Sequence, residues 1–270
     1  MTGSRPAPPL YTGRDPAMRC VWSLFLACLA LVASASAQPR PQPLTVYGAA
    51  DLALAFKEIV PLFEKATGRK VTLVLGSTGN LAKQIEHGAP ADVFFAADVS
   101  FVDHLRARGA VIPETRVLYA QGRIALATSR KAGLKLATLE GLLLPEVRRV
   151  AIAHPDHAPY GRAAQQALEA LGLWDKLKPK LVYGENIRHA LQLVETGAVE
   201  AGIVALSVAD VPGVQYTLID SALHRPLDQI AAVVTRSPRP EFGVAFIQFV
   251  NGPEGRAIMR RYGFRLSGEF

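Results

Sequence analysis

Cysteine is nearly absent: the chain has two, Cys20 and Cys28, and both sit in an N-terminal segment that does not read as part of a folded domain. If that segment is removed, no thiol remains, so disulfides, thiol catalysis and thiolate metal sites are excluded from the mature protein. Long basic runs are also missing. Arginine doublets occur at Arg148-Arg149 and Arg260-Arg261, but nothing forms the concentrated basic stripe with interleaved aromatics that nucleic acid binding requires. No G-x-S-x-G elbow, Walker phosphate loop, H-E-x-x-H or G-x-G-x-x-G fingerprint occurs, so the common hydrolase, nucleotide and dinucleotide chemistries lack their signatures. In GSTGN (76–80) the serine directly follows the first glycine, where an elbow needs one residue between.

What the N-terminus does have is a leader. Residues 1–17 are polar and proline-rich, and the run from Met18 reads MRCVWSLFLACLALVASASAQ. Arg19, the apolar stretch Val21 to Val32 and Ala35-Ser36-Ala37 follow the order of a secretory signal peptide. The apolar part is short of the roughly 20 residues that span a bilayer. Residues 1–37 are therefore expected to be a signal peptide cleaved after Ala37, with Met18 a candidate true start. Phe25-Leu26-Ala27 makes a poor lipobox, which argues against a lipid anchor at Cys28. Cleavage leaves 233 residues and lowers the formal charge from +7 to +5. That length suits one large domain or two lobes.

Apolar runs alternate with helical patterns along most of the remainder. Strands are predicted at 44–50, 71–76, 92–97, 123–128, 149–154, 202–206 and 229–235, with a less definite one at LVYG before Glu185. Between them, stripes such as Leu52, Ala55, Phe56, Ile59, Val60 and Phe63, or Ile187, Ala190, Leu191 and Val194, repeat at helical spacing. Short apolar strands alternating with helices predict an α/β fold with mostly parallel sheets covered on both faces. Near the C-terminus, Gly252 is expected to break one helix and Pro253 to open the next.

In such sheets ligands bind beyond the carboxyl ends of the strands, where helices begin. Four turns occupy that place: GAADL (48–52), GSTGN (76–80), HAPYGRA (157–163) and GENIRHA (184–190). The first amides of a helix have no internal partner and carry about half a positive charge, so a helix start can hold an anion without a cationic side chain. In GSTGN, Ser77 and Thr78 add hydroxyls, and Gly76 and Gly79 permit close approach. Taken singly, each turn is also an ordinary N-cap, because Ser, Thr, Asp and Asn are preferred there. Spacing alone does not bring the four to one point.

Five blocks, TVYGAADLALAF, GSTGNLAKQIEHGAPADVFFAAD, HPDHAPYGRAAQQAL, GENIRHALQLVETG and GPEGRAIMRRYGF, together resemble the periplasmic molybdate-binding proteins of ABC transporters, in that family's order from about residue 44 to 265. The resemblance implies a two-lobed clamp of the type II periplasmic-binding class. Lobe 1 would comprise residues 43–122 plus 230–270, and lobe 2 residues 123–229. It also implies a tetrahedral oxyanion, molybdate or tungstate, held in the cleft by neutral donors, with no cofactor and no direct cation site. By matching motif, Ala50, Asp51, Ser77 and Thr78 would serve from lobe 1, and Tyr160 and Ile187 from lobe 2 chiefly through main-chain N–H. A membrane permease is the implied partner, the periplasm the implied compartment, and a monomer the expected state.

Two positions depart from the family pattern. Many members carry a hydroxyl or amide residue where this chain has Asp51, and a carboxylate facing a dianion is repulsive. Its side chain is expected to turn back and cap its own helix, accepting amides at N2 or N3. Some members place a tyrosine where Ala205 stands; Tyr160 either compensates or packs. Competing readings are the same scaffold with another cargo (tungstate in preference, sulfate, or ferric iron, for which His154, Asp156 and His157 would be candidates), a secreted hydrolase, and a cytoplasmic sensor domain.

Overall fold

The computed structural model describes residues 42–270, with Gly3 and Ala7 as isolated positions besides. The leader, including Met18, Cys20, Cys28 and the cleavage position Ala37, lies outside the described residues.

Two sheets organise the chain. The first has six strands in the order β11-β4-β10-β3-β1-β2, and the second five in the order β7-β6-β8-β5-β9. In the first sheet, β1 (Leu44–Ala49), β2 (Val71–Gly76) and β3 (Val93–Ala96) run parallel. β10 (Leu227–Val233) lies antiparallel between β3 and β4 (Val117–Gly122), and β11 (Arg265–Leu266) closes the edge. In the second, β6 (Val150–Ala153), β7 (Leu181–Gly184) and β8 (Ala201–Ala205) are parallel, while β5 (Ile124–Ser129) runs antiparallel to β8 and to β9 (Val214–Leu218). The α/β class stands, but both sheets are mixed rather than mostly parallel. The reason is the crossing: β5 and β10 are the first strands after the chain enters a lobe, so they start at the cleft and run against strands that end there.

The chain leaves the first sheet at Gly122 and returns before Leu227, so residues 227–229 pair within the first sheet rather than belonging to the second lobe. Of the strands without a strong sequence signal, β4 reads VLYAQG with polar interruptions and β9 exposes Tyr216, Thr217 and Leu218. The continuous apolar runs fall mostly on strands buried on both faces, although β2, at the edge of its sheet and only partly buried, carries one too.

Helices cover the sheets where the spacing of apolar residues requires it. On one face of the first sheet, α1 (Ala53–Thr67) buries Phe56, Ile59 and Phe63 against Phe95, Tyr119 and Phe246. On the other, α2 (Thr78–Glu86) and α3 (Val99–Ala107) bury Leu81, Ile85, Val102 and Leu105 against Tyr47 and Phe94. Phe94 and Phe95 reach opposite faces because successive strand residues alternate. On the second sheet, α4 (Pro159–Ala170) and α5 (Ile187–Glu195) contribute Ala163, Ala164, Ala167, Leu168, Ala190 and Leu191 to an aliphatic core. At the C-terminus, α6 (Pro240–Asn251) ends at Gly252, and Pro253 opens α7 (Pro253–Arg261), as the sequence predicts.

Candidate functional site

Strand register sets the site. β1 and β2 pair so that Ala49 stands beside Gly76, which starts the turns at Ala50 and Ser77 level with one another. β6 and β7 pair Ala153 with Gly184, which does the same for the two turns of the second lobe. The four turns meet at one small, nearly closed pocket of about 10 Å³. Ala50, Asp51, Ser77, Thr78, Tyr160 and Ile187 all line it, together with Ala49, Gly76, Ala97, Ala158 and Pro159. None of these is Lys, Arg or His. Larger hollows exist on the surface, such as one of about 260 Å³ beside Leu126, Leu139 and Leu171.

The donors can be assigned group by group. Neither α2, capped by Ser77, nor α4, capped by Ala158, has a side chain bonded to its first-turn amides. In α5 the Asn186 side chain accepts from the His189 N–H at 3.0 Å, leaving the earlier Ile187 amide uncapped by it. The main-chain N–H groups of Thr78, Tyr160 and Ile187 are thus helix-start donors with no partner inside their helices. Thr78 Oγ1 accepts from the Ala97 N–H at 3.2 Å, which keeps its own proton available for donation. The Ser77 hydroxyl is engaged elsewhere: it donates to the His157 carbonyl at 2.6 Å and meets His157 Nδ1 at 2.8 Å. Since serine has one proton, Nδ1 must donate in the second contact. Gly79 serves the same closure. Its N–H reaches the His157 carbonyl at 2.9 Å, and a Cβ there would stand 2.7 Å from that oxygen. The glycine therefore admits the opposite lobe rather than a ligand.

Asp51 does not cap its own helix. The turn that follows Ala49 is a short 3-10 turn, Ala50–Leu52, with no side-chain cap, and Asp51 is wholly buried within it. Its Oδ2 accepts from the Tyr160 hydroxyl at 2.8 Å and from Gln229 Nε2 at 2.7 Å. Gln229 Nε2 also donates to the Tyr160 oxygen at 3.0 Å. The phenol thus neither replaces a tyrosine at Ala205 nor merely packs; it ties the second lobe to a carboxyl of the first. Gly122 makes room for it, as a Cβ there would fall 2.2 Å from the phenol oxygen. Burial pushes the Asp51 carboxyl up to about 6, against the pull of the Gln229 and Tyr160 hydrogen bonds and the nearby amides of Asp51 and Leu52.

Sequence reading missed three participants. Gln229 is the third residue of β10 and fully buried, and a lone amide heading the apolar run QIAAVVT was the available signal. Ser207 donates to the Asp51 carbonyl at 2.9 Å. His157 was grouped with His154 and Asp156 as candidate iron ligands, but its ring stacks on His154 at 5.1 Å and turns toward Ser77. His154 Nδ1 is 3.7 Å from the Asp156 carboxylate, and no cluster of metal-ligating side chains occurs among the described residues. Burial, with His154 beside it, holds the His157 imidazole below its ordinary value.

This geometry has known relatives. A family model described as bacterial extracellular solute-binding protein matches residues 44–265. The molybdate-binding protein ModA of Azotobacter vinelandii is 35% identical over 224 residues, covering 81% of this chain and 88% of that protein. ModA of Escherichia coli (strain K12) is 32% identical over 248 residues, covering 89% and 95%. The solved structure of the Azotobacter vinelandii periplasmic molybdate-binding protein superposes with a TM-score of 0.77 at 31% identity, over 83% of this chain and 99% of that one.

Proposed function

The chain belongs to the bacterial extracellular solute-binding protein family, and from that premise we propose that it captures molybdate, and tungstate with it, for delivery to an ABC transporter permease. It is a binding protein and not an enzyme, and it works in the periplasm. We place the end of its leader at Ala37, where the small-residue pattern falls.

One observation carries the reading: four helix or turn starts from two lobes line one pocket that has no cationic side chain. Amides of Thr78, Tyr160 and Ile187, main-chain groups at Ala50 and Asp51, and the Thr78 hydroxyl are the donors, with Ser77 holding the cleft closed beside them. A hydrogen bond to a charged group contributes about 1.5–3 kcal/mol net. Micromolar affinity corresponds to about 8 kcal/mol, so roughly six such donors suffice after closure and desolvation costs. Donors alone also disfavour a protonated oxyanion, whose O–H would be buried without an acceptor. Lobes of residues 43–122 plus 230–270 and 123–229, adjusted so that β10 lies wholly in the first, would close on the anion about the crossings at Gly122 and before Leu227.

Calorimetric titration with molybdate, tungstate, sulfate and ferric iron tests this. Molybdate and tungstate are expected to bind at micromolar dissociation constants or below, and sulfate at least tenfold more weakly. Preference for sulfate or iron, or no binding of any oxyanion, would overturn it.

A further inference from the structure

One group on the pocket wall has chemistry opposed to its neighbours. Around an oxyanion every useful group is a donor, yet Asp51 brings a carboxyl that is wholly buried. Its two oxygens are treated unequally. Oδ2 accepts from Tyr160 and Gln229, whereas Oδ1 is out of solvent and has no hydrogen-bond partner. The main-chain amides of Asp51 and Leu52 lie near the carboxyl without closing a hydrogen bond to Oδ1, and no side-chain donor is free to reach it. The Gln229 amide donates to Oδ2 and to the phenol, the phenol's proton goes to Oδ2, and the Ser207 hydroxyl is bound to the Asp51 carbonyl. A buried carboxylate oxygen left bare is costly, and a dianion beside it adds repulsion. A single proton on Oδ1 removes both penalties and turns the bare acceptor into a donor.

We propose that Asp51 receives the oxyanion as a neutral carboxylic acid, with its proton on Oδ1 serving as a further donor, so that capture takes up one proton whenever the free site is ionised. This rests on the molybdate reading and names the residue that keeps the pocket all-donor. With the proton absent, the same oxygen is an acceptor and works against a fully deprotonated ligand.

The other groups around Asp51 do not supply the proton chemistry. Two phenols face it, Tyr160 from α4 and Tyr119 from β4, and burial holds both well above the ordinary phenol value, so they stay protonated. The turn Leu206–Ala209 presents Ser207, and β2 carries no titratable side chain. The nearest helices carry Lys57 and Glu58 on α1 and Arg188 and His189 on α5, none of which hydrogen-bonds to the Asp51 carboxyl, and Asp228 on β10 accepts instead from Gln121 Nε2. Burial, the first cause of its raised value near 6, leaves the acid form within reach at neutral pH.

The test is calorimetry with sodium molybdate from pH 6 to 8.5, in paired buffers of different ionisation enthalpy, on the mature chain and on Asp51→Asn. For the wild type, proton uptake should approach one per molybdate well above pH 6, with affinity falling about tenfold per pH unit there. Asn matches the acid in having one acceptor and one donor, so Asp51→Asn should bind without proton uptake, with a flat pH profile, and about 100-fold more tightly than wild type at pH 8. His157→Gln, which removes the imidazole at the cleft mouth, should keep the uptake; this variant decides the matter if Asp51→Asn fails to fold. Wild-type binding with no proton uptake overturns the proposal and leaves the molybdate reading intact. Uptake that persists in Asp51→Asn or vanishes in His157→Gln also overturns it. Absence of molybdate binding by the wild type at every pH sinks the underlying reading instead.

Discussion

The two lobes solve the same packing problem with different side chains. The first is built on rings: Phe56 meets Phe95 edge-on at 5.1 Å, Phe63 meets Phe246 at 5.0 Å, and Phe95 meets Tyr119 at 5.1 Å. The second has no phenylalanine between residues 123 and 229, and apart from Tyr160 its core is Ala, Val, Leu and Ile. Large rings fill the space between helix and sheet, while alanines let the helices of the second lobe lie close to it. The site repeats this difference. Lobe 1 brings side chains to the pocket, the Thr78 hydroxyl and the Asp51 carboxyl. Lobe 2 brings main chain, since the Tyr160 phenol is committed to Asp51 and Ile187 has no polar side chain. One half of the site can therefore be tuned by substitution and the other is fixed by backbone position.

The comparison is sharpest in the cores. Phe246→Ala removes a ring with three edge-on partners and should cost about 3–5 kcal/mol in chemical denaturation. In the second lobe enlargement should do the damage, with Ala167→Leu costing about 1–3 kcal/mol. A neutral Ala167→Leu would show that the alanine core is loosely packed.

Next in size is a pH effect confined to lobe 1. The Asp51 value is raised in the folded state, from 3.8 to about 6, so its contribution to stability is present below about 4 and is lost as pH rises through about 6. Relative to the pH-independent Asp51→Asn, the wild type should lose about 3 kcal/mol between pH 3.5 and 7. Denaturation of both proteins across that range reads the difference directly. A constant gap would mean that Asp51 titrates as it does in the unfolded chain.

For ligand affinity, Thr78→Ala should weaken molybdate binding by about 1.5–3 kcal/mol, or roughly tenfold to a hundredfold. Ile187→Ala should change it by less than about threefold, because only its amide is offered. Comparable losses at both positions would erase the asymmetry between side-chain and main-chain halves. The smallest effect is expected where the lobes touch at the surface. Arg162 Nη1 lies 3.5 Å from the Asp98 carboxylate with both side chains partly exposed, so Arg162→Ala should cost less than about 1 kcal/mol and matter less in high salt.

The strand and helix pattern was legible wherever strands are covered on both faces, as at Val93–Ala96 or Val150–Ala153, because continuous burial writes itself as a continuous apolar run. It was faint for β4, which is only partly buried and carries polar residues, and for β9, whose last three residues are exposed. The candidate site residues were legible from turn chemistry and family resemblance, since Ser, Thr, Gly and Pro shape helix starts locally. The direction of the Asp51 side chain was not. A cap was the local solution, but Tyr160 and Gln229, 109 and 178 positions away, offered stronger partners once the cleft closed.

The sequence by itself therefore determined the elements, their order and the uncharged donors at their ends, because helix periodicity, strand burial and cap preference act over a few residues. Only the tertiary structure decided that Ser77 would grip His157, that the Tyr160 phenol would serve a carboxyl rather than a ligand, and that one oxygen of Asp51 would be left bare. Those outcomes depend on which hydrogen-bonding groups from remote segments arrive within 3 Å of each other, and no local rule of the chain contains that distance.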